Sequence, residues 1–142
     1  MSWAPGEPVR FEVPHRAVYD MHPEGESLVI EPRYVRPDGR PERRLMTEGW
    51  TWTPGEGLKT IPLGPNGASS GRSHANGWMA VAYPEADLVT LTADDGFTTS
   101  MTVYYPFRLA WIGRSLLVGC AQSGLLLFDN LADGLDDLRR AG

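Results

Sequence analysis

Three histidines carry the side chains best suited to bind a metal or to move a proton near neutral pH: His15, His22 and His74. His15 and His22 flank Asp20, so a metal-binding or acid–base group could form if these three side chains met in space. No histidine belongs to an H-E-x-x-H or H-x-x-E-H pattern. His22 and His74 each stand shortly before a turn glycine, which favours a structural role at a strand end. We therefore predict no metal site and no cofactor, and we assign no catalytic residue.

Nucleophilic side chains show no arrangement that is typical of an enzyme. Ser73 directly precedes His74, but catalytic triads are recognised by their arrangement in space and not by adjacency in sequence. Cys120 is the only cysteine, so neither an intramolecular disulfide nor a cysteine-based zinc site can form. It lies in an apolar run, where we expect a buried and unreactive thiol. These features favour a non-catalytic protein, but they do not decide whether the protein is an enzyme.

Aromatic residues are the most suggestive candidates for binding. Trp50 and Trp52 alternate along an extended segment, so both indole rings lie on the same face. Trp78 begins a strand-like run, and Tyr104 ends another. Exposed Trp and Tyr side chains anchor ligands and protein partners, whereas a row that faces inward only covers the core. We predict a ligand-binding or partner-binding site that comprises Trp50, Trp52, Trp78, His74 and Tyr104.

Composition bounds the class of protein. The chain has 142 residues, which predicts one domain over 1–142, and its 16 Gly and 12 Pro exclude a long helical bundle. A net charge of −5 disfavours nucleic acid or an anionic membrane as partner, because phosphate binding needs a basic surface. Arginine outnumbers lysine twelve to one, which is compatible with a GC-rich coding genome. The first residues do not resemble a signal peptide and no apolar run could span a membrane, so we expect a soluble cytoplasmic protein.

Strand signals dominate the chain. Runs of β-branched and aromatic residues occur within 11–31, 78–105 and 107–128, with Gly, Asp and Asn between them. The segments 36–44 and 64–73 are rich in turn residues and are predicted to be exposed loops. One helix is predicted over 131–141, because three leucines there form a single apolar stripe and Asn130 can serve as N-cap. The sequence thus predicts an all-β fold, an antiparallel meander of blade-like or barrel-like hairpins with one short C-terminal helix.

One element recurs along the chain. Gly25, Gly77 and Gly113 are each followed by two residues and then three apolar residues, in "GESLVI", "GWMAVA" and "GRSLLV". After the second and third copies another apolar strand follows at nearly equal distance. The passages "HANGWMAVAYPEADLVTLTADDG" and "FRLAWIGRSLLVGCAQSGLLLFDNL" resemble blades of bacterial WD40-like β-propellers, over roughly 17–131. The resemblance implies about three blades, too few to close a ring, and hence assembly with further copies or a partner.

Three functions are compatible with these observations. The first is a non-catalytic β-module that acts as a protein-binding or scaffold component through oligomeric assembly. The second is a small β-barrel enzyme or ligand binder, similar to a cyclase or a lipocalin, with an apolar pocket at the barrel mouth. The third is an immunity or antitoxin protein, since such proteins are often small, acidic and without motifs. We favour the first, with a homo-oligomer or a protein partner.

Overall fold

The computed structural model describes Gly6 and residues 16–40, 42–122 and 124–142. Within these residues the chain forms eleven strands and one α-helix. The strands are Arg16–Glu24 (β1), Ser27–Tyr34 (β2), Glu48–Thr53 (β3), Gly57–Pro62 (β4), Gly71–Ala75 (β5), Trp78–Tyr83 (β6), Leu88–Ala93 (β7), Thr98–Thr102 (β8), Pro106–Ile112 (β9), Ser115–Cys120 (β10) and Gly124–Phe128 (β11). A 3₁₀ turn spans Pro84–Ala86, and the helix, α1, spans Leu131–Ala141.

The strands form three antiparallel sheets, each in chain order. Sheet 1 has the order β1-β2-β3-β4, sheet 2 the order β5-β6-β7-β8, and sheet 3 consists of β9-β10-β11. The prediction of an all-β, antiparallel meander with one short C-terminal helix is confirmed. The barrel-like version of that prediction is wrong for the described strands, because they pair into three separate open sheets and not into a closed barrel.

The repeated glycine marks the same position in each sheet. Gly25, Gly77 and Gly113 have φ angles of +63°, +76° and +58°, a backbone region that favours glycine. Each closes the hairpin between the first and second strands of its sheet, so the strand that follows is β2, β6 or β10. The repeat in the sequence therefore corresponds to one hairpin turn per sheet.

The segment 64–73 differs from the predicted exposed loop. Ala68, Ser69 and Ser70 are almost fully buried, and Gly71 begins β5. Ser70 donates its backbone N–H to the carbonyl of Ala82, which extends the pairing of β5 with β6. Small side chains allow this segment to lie between sheets 1 and 2, a tertiary effect that composition does not reveal.

Sheet 2 lies in the middle of the molecule. One of its faces carries Trp78, Ala80, Val89 and Leu91, which pack with sheet 3 and α1 into the larger hydrophobic core. Its other face carries Arg72, which reaches the carboxylates of sheet 1. The three sheets therefore stack in the order sheet 1, sheet 2, sheet 3, and each end sheet turns one face away from the stack.

Candidate functional site

A buried polar network joins sheet 1 to the end of sheet 2. The Tyr19 hydroxyl lies 2.6 Å from the Tyr105 hydroxyl and donates to Oε1 of Glu85 at 2.7 Å. Glu85 is 2% exposed at its side chain, and its other oxygen, Oε2, lies 3.4 Å from Nε of Arg43. Arg43 also pairs with Asp87 and donates to the carbonyl of Pro84. Burial, followed by the bond with Tyr105 and the negative charge of Glu85, raises the pKa of Tyr19, so the hydroxyl stays protonated.

Two backbone irregularities place these tyrosines. The pairing of β1 with β2 shifts register between Val18 and Asp20, so that Tyr19 is the extra residue of a β-bulge. The bulge turns Tyr19 toward β9 of sheet 3, where its ring meets Phe107 edge-on at 5.6 Å. Tyr105 has a φ angle of +44°, which is unusual for a residue with a Cβ. Asp87 holds this conformation by accepting the Tyr105 N–H at 2.8 Å.

A cavity of about 600 Å³ opens beside this network. Its walls come from sheets 1 and 3 and from the loops that precede β3 and follow β8, and they include three arginines, three aromatic residues, the carboxylate of Glu42 and the 119–122 segment. The arginines and aromatics are Arg33, Arg43, Arg108, Tyr104, Tyr105 and Phe107. Cys120 also lines the cavity, and burial raises the pKa of its thiol, so it is not an activated nucleophile.

The arginines of the cavity differ in their partners. Arg43 is neutralised by Glu85 and Asp87 and stacks over the rings of Tyr104 and Tyr105 at 5.1 and 4.6 Å. Arg33 lies over the ring of Tyr19, at 5.4 Å, and Arg108 donates to the carbonyls of Ser70 and Phe107. Within the described part of the chain, neither Arg33 nor Arg108 has a carboxylate within salt-bridge distance.

A second polar cluster lies between sheets 1 and 2. Nδ1 of His22 is 3.5 Å from Oδ2 of Asp20 and 3.6 Å from Oε2 of Glu31. These three ligand atoms all lie within 4.8 Å of one another, a set that could hold a divalent metal. Arg72 already lies 3.5 and 3.4 Å from the two carboxylates and supplies the opposing charge. Asp20 and His22 therefore lie close together, as the sequence analysis considered, and Glu31 completes the group. His15, the third residue of that expectation, lies outside the described residues.

Ser69 belongs to the same cluster. It lies in Gly67-Ala68-Ser69-Ser70-Gly71, which has the G-x-S-x-G spacing of a nucleophile elbow and was the signal that could have drawn attention to it. That motif requires a strand-to-helix turn, whereas this segment leads into β5. The Ser69 side chain is fully buried and its hydroxyl donates to Glu31. No substrate can reach it, so the structure gives Ser69 the role of a buried hydrogen-bond donor.

The five residues predicted as one binding site lie in different places. Tyr104 is 49% exposed and lines the cavity. Trp78 is fully buried, donates its indole N–H to Asp136 and packs edge-on against Phe97. His74 is exposed on β5, with Nε2 2.8 Å from Oδ1 of Asp94. Trp50 and Trp52 lie on β3 of sheet 1, half-buried and away from the cavity.

Trp50 and Trp52 belong to the outward face of sheet 1. Val29 and Glu31 face sheet 2, and Thr51 pairs with Val29, so the alternation of β3 turns both tryptophans the other way. Leu28 and Ile30 stand opposite them on β2, and the face also includes Leu58 and Met21, which is 57% exposed. We call this surface the tryptophan face.

Sheet 3 also has an apolar outward face. Leu116 and Val118 of β10 point into the larger core, so Leu117 points outward. Leu117 is paired with Leu127 of β11, which is 60% exposed. Leu125 and Ile112 lie on the same face and are 67% and 60% exposed. We call this surface, Ile112, Leu117, Leu125 and Leu127, the leucine face.

Comparison with solved structures gives a distant likeness. A solved structure described as "Streptogramin B lyase structure" is similar to this chain with a TM-score of 0.33 and 12% sequence identity. The match covers 82% of this chain and 56% of that one, so the chain spans little more than half of that structure's length. No family model and no curated protein matches the chain. None of the helices in the described part of the chain is long and apolar enough to cross a membrane.

Proposed function

We propose that this protein is a non-catalytic β-module that assembles with a second copy of itself through the two outward faces of its sheet stack. The observation that carries this proposal is that both ends of the stack are apolar. Folded monomers rarely expose contiguous apolar patches beyond a few hundred Å², and larger ones commonly mark protein interfaces. An all-β module with such faces is best explained as a component that functions by association.

The contact between sheets 2 and 3 within one chain shows the kind of sheet packing that we propose between two copies. There, one sheet covers the apolar face of the next and buries Trp78, Leu91, Leu116 and Val118. The tryptophan face and the leucine face each lack such a covering sheet among the described residues. In the proposed assembly, the tryptophan face of one copy packs on the leucine face of the other, in the manner of sheet-on-sheet packing.

Two such contacts would close a ring. A two-fold axis places both copies in equivalent positions, so each tryptophan face meets a leucine face and no apolar end remains open. Six sheets stacked in a ring fall within the usual range of four to eight blades in a β-propeller. The blade-like resemblance of the sequence and the three chain-ordered sheets support this arrangement.

Light scattering coupled to size-exclusion chromatography tests the assembly. We expect the wild-type mass to equal two chains at micromolar concentration, and Leu127→Glu or Trp52→Glu to give the mass of one chain, because a buried charge opposes each contact. Leu138→Glu is the matched control, since Leu138 is 47% exposed on α1 and lies on neither face. A wild-type protein that runs as one chain across this range would overturn the proposal.

Mixing the two variants tests which faces meet. Trp52→Glu retains its leucine face and Leu127→Glu retains its tryptophan face, so a mixed pair has one intact contact. We expect the mixture to regain a two-chain species that neither variant forms alone. A mixture that stays monomeric while the wild type is dimeric would contradict the pairing of unlike faces.

A further inference from the structure

We infer that the cavity between sheet 1, sheet 3 and the loop after β8 binds a small anion that carries an aromatic or other flat apolar group, such as an aryl phosphate, sulfate or carboxylate. The inference does not depend on self-association, because none of the residues that define the tryptophan face or the leucine face lines the cavity. It rests on the charge, the ring surfaces and the backbone of this cavity.

Unpaired positive charge converges on the cavity. The protein carries a net charge of −5, and carboxylates neutralise Arg43 in the cavity wall and Arg72 in the cluster between sheets 1 and 2. Arg33 and Arg108 have no such partner among the described residues and both line the cavity, so their two charges outnumber the single carboxylate of its wall, Glu42. Guanidinium groups present a planar fork of donors that fits phosphate, sulfate or carboxylate oxygens. The two arginines therefore favour an anion in this space.

The remaining walls favour a flat apolar group. Tyr104 is 49% exposed, and Phe107 and Tyr105 add two further rings to the same cavity. Aromatic rings bind other rings by stacked or edge-on contacts beyond their simple burial of area. A volume of about 600 Å³ is in the range of small-molecule sites, which combine apolar walls with a few polar groups.

The cavity is held in shape before any ligand binds. Tyr105 keeps its positive φ angle because Asp87 accepts its N–H, while its carbonyl accepts the N–H of Ala121 at 3.2 Å. Its hydroxyl is fixed by Tyr19 and Glu85. Strained residues that the surroundings hold in place often occur at binding sites, where rigidity lowers the entropic cost of binding.

Isothermal titration calorimetry with three related probes tests the ligand class. We expect phenyl phosphate to bind the wild-type protein. Inorganic phosphate lacks the aromatic ring and phenol lacks the anionic group, so we expect each to bind at least about tenfold more weakly. Phenol binding as tightly as phenyl phosphate would overturn the role of the anion. Inorganic phosphate binding as tightly would overturn the role of the rings, and no binding by phenyl phosphate would overturn the site.

Variants of the two unpaired arginines test the location. Arg33→Gln and Arg108→Gln should each weaken phenyl phosphate binding about tenfold or more, the usual effect of losing a charged hydrogen bond. Arg33→Lys should bind between the wild type and Arg33→Gln, because it keeps the charge and loses the planar fork. Arg40→Gln, at a side chain that is 79% exposed and outside the cavity, is the control. Wild-type affinity in both glutamine variants, with unchanged circular dichroism, would refute the assignment.

Discussion

Trp78 shows how a single side chain can serve the core and a polar contact together. Its ring is fully buried, and its indole nitrogen donates to Oδ1 of Asp136 on α1 at 2.9 Å. Arg114 holds the other oxygen of the same carboxylate at 2.7 Å. The bond from Trp78 and then that from Arg114 lower the pKa of Asp136 below its ordinary range. Trp78 thus ties the helix to sheet 2 and is not available as a ligand-binding ring.

Replacement of Asp136 tests this contact. Asp136→Ala leaves the buried indole N–H of Trp78 without an acceptor, so we expect the free energy of unfolding to fall by about 1–3 kcal/mol at neutral pH. Asp137→Ala is the control, because Asp137 is 73% exposed at its side chain and pairs only with Arg140 among the described residues. Equal stability of the two variants in urea denaturation would contradict the proposed role.

Acid should weaken the same contact. The pKa of Asp136 is lower in the folded than in the unfolded chain, so its stabilising contribution is fully present above the unfolded pKa and is lost as the pH falls through the folded one. We expect the wild type to lose more stability than Asp136→Asn between neutral pH and about pH 3, where unfolded aspartate gains its proton. Parallel pH profiles of the two proteins, measured by urea denaturation, would show that Asp136 is not the titrating group.

Strand pairing depends on small residues where elements approach closely. Gly49 lies on β3, and a Cβ placed there would stand 2.8 Å from the carbonyl oxygen of Ile30 and 3.0 Å from Cδ2 of Leu63. Its absence lets β3 pair with β2 and so sets the position of Trp50 and Trp52 on the tryptophan face. In α1, by contrast, a Cβ at Gly134 would meet nothing within 4 Å.

The same substitution at these two glycines should have opposite effects. Gly49→Ala is expected to destabilise the protein by about 1–3 kcal/mol, because the new methyl group overlaps backbone that cannot move freely. Gly134→Ala is expected to stabilise it by about 1 kcal/mol, the difference in helix propensity. Thermal and urea unfolding of both variants measure this difference, and a stabilising Gly49→Ala would contradict the close approach of β2 and β3.

The whole molecule has two cores of unequal size. Sheets 2 and 3 and α1 share the larger core, which includes nine buried residues. Sheet 1 is attached by a smaller cluster, Tyr19, Met46 and Ala68, together with the ionic contacts of Asp20 and Glu31 to Arg72. Since local stability follows buried apolar contact, sheet 1 has less to hold it in place than the other two sheets.

Hydrogen exchange should reveal this inequality. We expect amides in β2 and β3 to exchange faster than those in β6, β7 and β10, because sheet 1 can open without disrupting the larger core. Glu31→Gln should accelerate exchange in sheet 1 further, since it weakens the contact with Arg72, and should leave sheets 2 and 3 unchanged. Uniform protection across the three sheets, measured by mass spectrometry of peptides, would indicate a single cooperative unit.

The sequence alone determined the local features of this protein. Runs of apolar and aromatic residues between turn residues predicted most of the strands of sheets 2 and 3, a leucine stripe predicted α1, and Gly25, Gly77 and Gly113 predicted three equivalent hairpin turns. These signals are local, because strand alternation, helix periodicity and positive φ angles each depend on neighbours in the chain. The proline-rich region 32–65 concealed β3 and β4, since its strands are short and lack a continuous apolar run.

Only the tertiary structure decided which side chains meet. Asp20, His22 and Glu31 join Arg72 and Ser69 across two sheets, and Arg33 and Arg108 reach one cavity from different sheets. It also placed the aromatic residues of the predicted binding site apart from one another. Trp78 lies in the core, Tyr104 lines the cavity, and Trp50 and Trp52 lie on an outward face. Such contacts depend on sheet stacking, on the bulge at Tyr19 and on close approach at small residues. Their energies arise between segments distant in sequence, so no local pattern records them.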